Sequence, residues 1–125
     1  MDYDIAMRPL YRPLERIDAG ALVDACDVPW WNRTLCRVDD SLLRIGVFHG
    51  EFHWHKHDRE DEVFFVLDGR LLLDIRDDSG ERTVELARHQ GLLVPKGTLH
   101  RPRAPERTVV LLMEPATVVP TGDAG

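Results

Sequence analysis

The chain has 125 residues, 43% of them hydrophobic and 30% charged, which fits one globular domain and argues against both a disordered and a multidomain chain. Sixteen basic against 22 acidic residues leave a formal charge of −6, and the basic residues are scattered rather than gathered into the face that nucleic-acid affinity requires. The loose trio Arg101, Arg103 and Arg107 reads as solvent-facing. The longest apolar run, Val109 to Met113, falls far short of the ~20 residues that cross a bilayer. Cys26 and Cys36 have neither zinc-finger nor redox-motif spacing. Met1-Asp2-Tyr3-Asp4 begins no basic-then-apolar leader, so the expectation is a cytoplasmic protein with both thiols reduced.

In chain order, Arg8-Pro9 and Arg12-Pro13 break regular structure and predict an extended arm. Leu14 to Cys26 reads as a short helix despite Gly20, and Asp27-Val28-Pro29 ends it before Trp30-Trp31. From Asn32 onward short strands alternate with turns. Leu35 to Val38 leads into the turn Asp39-Asp40-Ser41, Leu42 to Phe48 follows, and Gly50 permits a bulge. Glu51 to His57 continues extended into the polar loop Asp58-Arg59-Glu60-Asp61. Glu62 to Leu67 is a strand, and Asp68-Gly69 predicts a tight hairpin. Arg70 to Arg76, the turn Asp77-Asp78-Ser79-Gly80, and Glu81 to Leu86 come next. Leu92 to Val94, Leu99 to Arg101 and Thr108 to Met113 complete a set of eight or nine short strands, the pattern of an all-β barrel or sandwich. Phe64 and Val66 share parity with Glu62 and face inward, whereas Val63, Phe65 and Leu67 face the other way. Leu71, Leu73, Ile75, Leu111 and Met113 are expected core residues.

Gly50-Glu51-Phe52-His53-Trp54-His55-Lys56-His57 carries the chemistry. Alternate residues of a strand share a face about 7 Å apart, so His53, His55 and His57 lie together and neighbouring pairs can close on one ion. Glu62 stands five residues beyond His57 at the start of a returning strand. His100 follows the tight turn Pro95-Lys96-Gly97-Thr98. Imidazoles with a carboxylate suit zinc, iron, manganese or nickel. Read alone, alternating histidines can equally decorate an exposed strand.

These residues resemble the motifs of the cupin superfamily, in particular the small single-domain metal-binding cupins, whose barrel is like that of mannose-6-phosphate isomerase. The first motif is matched by Gly50, His55, His57, Glu62 and Gly69, with a glycine-to-histidine gap of four rather than five. The second motif, Pro-x-Gly-x-x-His, is matched by Pro95, Gly97 and His100. The resemblance covers about residues 32 to 123. It implies an all-β double-stranded β-helix, or jelly-roll barrel, over 32–119, preceded by an arm or short helix over 1–31 and followed by a tail over 120–125. It further implies one divalent transition metal held by His55, His57, Glu62 and His100, with His53 beside them. Two departures stand out. His89 sits where the family has a turn glycine, which predicts a strained turn there, and Ala104 replaces a frequent asparagine.

An open position on such a metal can take water, dioxygen or a substrate oxygen. The resemblance therefore implies a small metalloenzyme acting on an oxygenated metabolite, with carboxylate or carbonyl oxygens, by dioxygenase, isomerase or lyase chemistry. Glu62 and His53 are the candidates for moving a proton. The competing expectation is a non-catalytic accessory or sensor domain, including the kind that accompanies synthetase-like partners in natural-product assembly. A metal-free sugar epimerase is disfavoured, because Tyr3 and Tyr11 both precede the barrel. Arg44 and Arg33 are candidate anchors for an acidic substrate, with surface placement the plainer reading for both. The expected partners are a small-molecule ligand and a second copy of the chain, the arm covering a sheet edge that would otherwise invite pairing. Neither nucleic acid nor membrane is expected.

Overall fold

The computed structural model describes residues 3–123. In chain order the elements are β1 (Asp4–Ala6), α1 (Ala19–Ala25), β2 (Trp30–Val38), β3 (Ser41–Glu51), β4 (Glu62–Asp68), β5 (Leu71–Asp77), β6 (Gly80–Leu86), β7 (Gly91–Val94) and β8 (Leu99–Pro115). Turn chemistry sets the boundaries. Asp39 takes a left-handed φ of 50° between β2 and β3. At the β5–β6 hairpin the Asp77 carboxylate accepts from the Ser79 amide, 2.9 Å, and Gly80 opens the next strand at φ 104°.

The strands run β1-β2-β3-β8-β4-β7, with β5 joined to β8 and β6. The 17-residue β8 is the spine of the barrel. It lies against β3 along most of its length, while its other edge pairs with β5 over Leu99–Arg103 and with β4 over Val109–Met113. One strand therefore belongs to both walls, and the walls close over a shared core. Side chains alternate across every strand, so the tandem tryptophans part company. Trp30 enters the inner core with Phe48, Phe52, Phe64, Val66, Leu71, Leu73 and Leu112. Trp31 enters an outer cluster with Leu35, Ile45, Val47 and Val109, which Tyr11 and Leu22 and Val23 of α1 cover.

Several local expectations are corrected. The helix occupies Ala19–Ala25 rather than Leu14 to Cys26, because Asp18 caps it by accepting from the Ala21 amide, 3.0 Å. Leu14 lies outside it at φ 68°. Asp68-Gly69 makes no hairpin, since β4 pairs with β7 and β8 and the chain crosses there to the other wall. Residues 52–57 leave the regular ladder, and Leu99 to Arg101 and Thr108 to Met113 merge into the single β8. Met113 is 42% exposed and Leu111 only partly buried, because inward parity on β8 belongs to Val110 and Leu112. The arginine trio is only partly solvent-facing, since Arg107 is exposed but Arg101 and Arg103 are half-buried. Arg101 and Arg103 pair with Asp74, and Arg107 donates to the Val23 carbonyl at 2.8 Å.

Other expectations hold. Gly50, at φ 101°, sits in a register shift between β3 and β8. His89 occupies a left-handed turn at φ 69°. The arm supplies β1, which pairs in parallel with β2 and covers that edge from within the same chain. No helix among the described residues is long and apolar enough to cross a membrane.

Candidate metal centre

Register brings the histidines together. Past the Gly50 bulge the chain stays beside β8, with the Phe52 amide on the Pro102 carbonyl and a reciprocal pair of 2.9 Å bonds joining the backbones of His55 and His100. His57 is held from the other side, where its carbonyl accepts from the Gly97 amide, 2.8 Å, at the turn that presents His100. Glu62 opens β4 opposite Val94, with its side chain turned into the barrel. His55, His57, Glu62 and His100 are all buried, and one donor atom from each lies within 4.8 Å of the others.

Hydrogen bonding shows which atoms are free. His55 Nδ1 is 2.9 Å from the His53 carbonyl, and His100 Nδ1 is 2.8 Å from the Thr98 carbonyl. A carbonyl only accepts, so both Nδ1 atoms carry the proton and both Nε2 atoms are turned to the centre. Glu62 Oε1 lies 3.2 Å from His100 Nε2 and 3.6 Å from His57 Nε2. Neither ring nitrogen of the buried His57 has a hydrogen-bond partner. Leaving a buried polar group unsatisfied costs about 1–3 kcal/mol. Three imidazoles and a carboxylate with lone pairs directed to one point are what a borderline transition metal takes, so the residues fit such an ion.

Electrostatics favour a neutral His55 and an ionised Glu62. Burial, reinforced by His100, pushes His55 down to about 3, so its imidazole is neutral. Burial alone would raise Glu62, but the close approach of His100 and His57 outweighs it and holds the carboxyl below its ordinary range. His57 is lifted in spite of its burial by the Glu62 carboxylate.

A small pocket of about 30 Å³, partly open to solvent, adjoins the cluster, lined by Trp30, Phe48, Phe52, Phe64, Leu112 and Pro120 with His55 and Glu62 in its wall. Its polar floor is Arg44, 1% exposed, against Glu114 and Asn32. Arg44 gives Nε to Thr34, 3.0 Å, Nη1 to Glu114, 3.4 Å, and Nη2 to Asn32 and the Ala6 carbonyl. The guanidinium thus knits β1, β2, β3 and β8 together. It has little left for a substrate carboxylate, which corrects its reading as an anchor. Trp30 and Glu114 line this pocket, and Trp30 Nε1 and Glu114 Oε2 are buried without hydrogen-bond partners. Burial and then the Glu62 charge raise the pKa of Glu114.

Arg33 is also accounted for, at 2.9 Å from Asp4 of the arm. His53 lies outside the convergent group. Its Nδ1 is 3.0 Å from Tyr3 Oη and its Nε2 contacts the Thr121 carbonyl, so both ring nitrogens are occupied. Its main-chain carbonyl, rather than its ring, reaches the site by fixing His55. Asn32, Trp30 and Glu114 were missed as pocket residues. The signal was strand parity, since each shares its inward face with core neighbours such as Phe48, Phe64 and Leu112.

A mainly antiparallel β-barrel gathering three histidines and a glutamate at one end, beside an apolar pocket, defines a small β-barrel protein with a candidate metal centre. The family model for the cupin domain matches residues 45–114, and the chain belongs to the cupin family. The uncharacterized protein YdbB of Bacillus subtilis (strain 168) is 45% identical over 83 residues, 66% of this chain and 71% of that protein. A cupin-2 domain containing protein from Shewanella frigidimarina NCIMB 400 superposes with a TM-score of 0.72 at 29% identity, over 79% of this chain and 93% of the other. Hydroquinone 1,2-dioxygenase from Sphingomonas sp. TTNP3 with 4-hydroxybenzoate bound gives a TM-score of 0.71 at 21% identity, over 80% of this chain but 32% of that one. That last likeness is one of fold.

Proposed function

We propose that this cupin is a metal-dependent enzyme in which His55, His57, Glu62 and His100 hold one divalent transition metal (zinc, iron, manganese or nickel). Its substrate is a small oxygenated metabolite with a carbonyl or carboxylate oxygen, and the reaction is of the dioxygenase, isomerase or lyase type. The supporting observation is the convergence of four buried donor atoms within 4.8 Å beside a small, partly open pocket. When bound, the ion would supply Lewis acidity and open coordination positions for substrate oxygen.

The chain's own groups do the rest. Phe48, Phe52, Phe64 and Leu112 exclude water and pack the apolar body of the ligand. Trp30 Nε1 offers a donor to a ligand oxygen, and Glu62, central to the cluster, is the group placed to hold or move a proton. Of the two proton carriers expected from the sequence, His53 serves instead as a clamp between Tyr3 and Thr121. The second reading, a binding module without turnover, draws on the limited pocket and the internally spent Arg44 donors. Metal-loaded protein incubated with a panel of small carbonyl, enol and carboxylate compounds separates the two. Saturable turnover, followed by product and oxygen uptake, supports the enzyme; saturable binding with no product supports the module.

The partner we propose is a second copy of the chain. Cross-strand register aligns Leu93, Val63, Met113 and Leu43 in one row on the outer face of β7, β4, β8 and β3. Leu93 and Met113 are 55% and 42% exposed, while the arm and α1 cover only the neighbouring part of that face. Light scattering at micromolar concentration is expected to give the dimer mass, and Met113→Glu the monomer; a monomeric wild type rejects the dimer. The free Cys26 and Cys36 accord with the cytoplasmic location we assign.

A further inference from the structure

The segment after β8 returns across the histidine motif and touches it residue by residue. Thr117 Oγ1 donates to Glu60 Oε2, 2.7 Å, and Val118 is buried. Pro120 forms part of the pocket wall. The Thr121 carbonyl accepts from His53 Nε2. Gly122, at φ 99°, lies so close to His55 that a methyl group on it would stand 2.5 Å from His55 Cβ. The Asp123 amide bonds to the Lys56 carbonyl, 3.0 Å, and Asp123 Oδ2 accepts from the Asp58 amide, 2.6 Å. Every residue from 53 to 58 except Trp54 and His57 is thereby held through a named contact, and His57 has its own relation to this segment.

His57 Nε2 is the nitrogen turned to Glu62. Its other nitrogen, Nδ1, is buried and without a partner. A nitrogen of His57 and carboxylate oxygens of Glu60 and Asp123 form a second group whose members lie within 4.8 Å of one another. With Nε2 directed elsewhere, Nδ1 is the atom left for these two carboxylates. Glu60 is itself 5% exposed with one hydrogen bond, from Thr117, so it too lacks a compensating donor. An unpaired buried N–H donor and an under-satisfied buried carboxylate complete each other across one bridging water or a small side-chain rotation. A second cation in this place is disfavoured, because Nδ1 carries the proton whenever Nε2 is a ligand.

We propose that residues 117–123 form a strap that completes the metal centre, with Asp123 and Glu60 as positioning residues that hold the Nδ1–H of His57 and aim its Nε2 at the ion. This rests on the assignment of His57 as a metal ligand. It gives His57 the backing that His55 and His100 draw from the carbonyls of His53 and Thr98. It also makes the C-terminal segment part of the site rather than a trailing end.

The test uses Asp123→Asn, Glu60→Gln and the double variant, with Asp123→Glu as the conservative control. Asparagine can still accept from the Asp58 amide, so Asp123→Asn removes the charge without undoing the strap. Affinity for Zn²⁺ and Co²⁺ is measured by chelator competition, and the His57 tautomer by long-range ¹H–¹⁵N NMR of metal-free and metal-loaded protein. The expected result is a 10–100-fold weaker affinity in the double variant, recovery in Asp123→Glu, and, for the metal-free form, loss of the Nδ1–H signal with an unchanged melting temperature. Unchanged affinity with an unchanged tautomer overturns the proposal. A wild type that binds neither metal would sink the metal assignment alone. The strap would then be judged on the metal-free protein, where a His57 Nδ1–H present in the wild type and lost in the double variant supports it, and no difference overturns it.

Discussion

Gly122→Ala probes the join between the strap and the histidines with the smallest available change. Gly122 has φ 99°, a backbone region that costs an L-residue about 1 kcal/mol or more. The new Cβ would lie 2.5 Å from His55 Cβ and 3.2 Å from Cγ, against an ordinary carbon contact of about 3.5–4.0 Å. One side must therefore move by about 1 Å, and overpacking of that kind costs about 1–3 kcal/mol. His55 is pinned to His100 by two backbone bonds, so the strap should be what moves. Gly80→Ala is the control, since Gly80 has φ 104° but nothing within 4 Å of its would-be Cβ. Gly80→Ala is expected to cost about 1 kcal/mol, the backbone term alone. Gly122→Ala should cost about 2–4 kcal/mol if the strap stays docked, and less if it lifts. In the second case amide exchange rises at Gly122 and Asp123, and metal affinity falls. Thermal melts with native-state hydrogen exchange read both. Equal melting temperatures for the two variants, with full protection at Asp123, would refute the reasoning.

Other perturbations follow from single positions. Gly69→Ala combines φ 89° with a methyl 2.6 Å from Thr108 Oγ1 and 2.7 Å from the Arg107 carbonyl. It should destabilise by about 2–4 kcal/mol in chemical denaturation; a loss no larger than that of Gly80→Ala would contradict the crossing geometry. Asp74 takes hydrogen bonds from Thr83, Arg101 and Arg103, and Arg103 foremost holds its carboxyl below the ordinary range. Because the folded-state pKa is depressed, that stabilisation is complete above the unfolded value of about 4 and disappears as pH falls below it. Asp74→Asn should therefore cost about 1–2 kcal/mol at pH 7, both arginines being about a quarter exposed and able to rehydrate. The gap from wild type should narrow below about pH 4, and a gap that widens on acidification would reverse the sign of this argument. Trp30→Phe keeps the apolar pocket wall but removes the unpaired Nε1 donor. It should weaken ligand binding by about tenfold without altering metal affinity, and equal ligand affinity in calorimetry would remove Trp30 from the site.

The donor set was legible because it is local in the chain. His55 and His57 are two residues apart, Glu62 opens the next strand, and the Pro95–Gly97 turn announces His100. Inward parity was equally plain for Glu62, Phe64 and Val66 on β4. The crossing of the chain between walls was not legible, because Asp68-Gly69 is the same dipeptide whether the following strand pairs with β4 or leaves for the other wall. Only the close approach of Gly69 to Arg107 and Thr108 distinguishes the two cases. Proline hid the length of β8, since Pro102 and Pro105 look like strand breaks, yet Pro102 still gives its carbonyl to Phe52. Arg44 misled in another way. Its fit to a carboxylate at a pocket mouth suggested a substrate anchor, with a surface position the plainer reading, but it is buried and its donors are spent on Thr34, Asn32, Ala6 and Glu114, partners remote in sequence. The strap shows the same limit, for nothing local to Thr121-Gly122-Asp123 says that it folds back onto a motif more than 60 residues earlier.

The central claim is that His55, His57, Glu62 and His100 hold one ion, and elemental analysis of tag-free protein tests it most directly, alongside His55→Ala and Glu62→Ala. The account predicts about one zinc, iron, manganese or nickel per chain in the wild type and little or none in either variant. Wild-type protein that stays free of metal after reconstitution, or variants that load as fully as wild type, would contradict it.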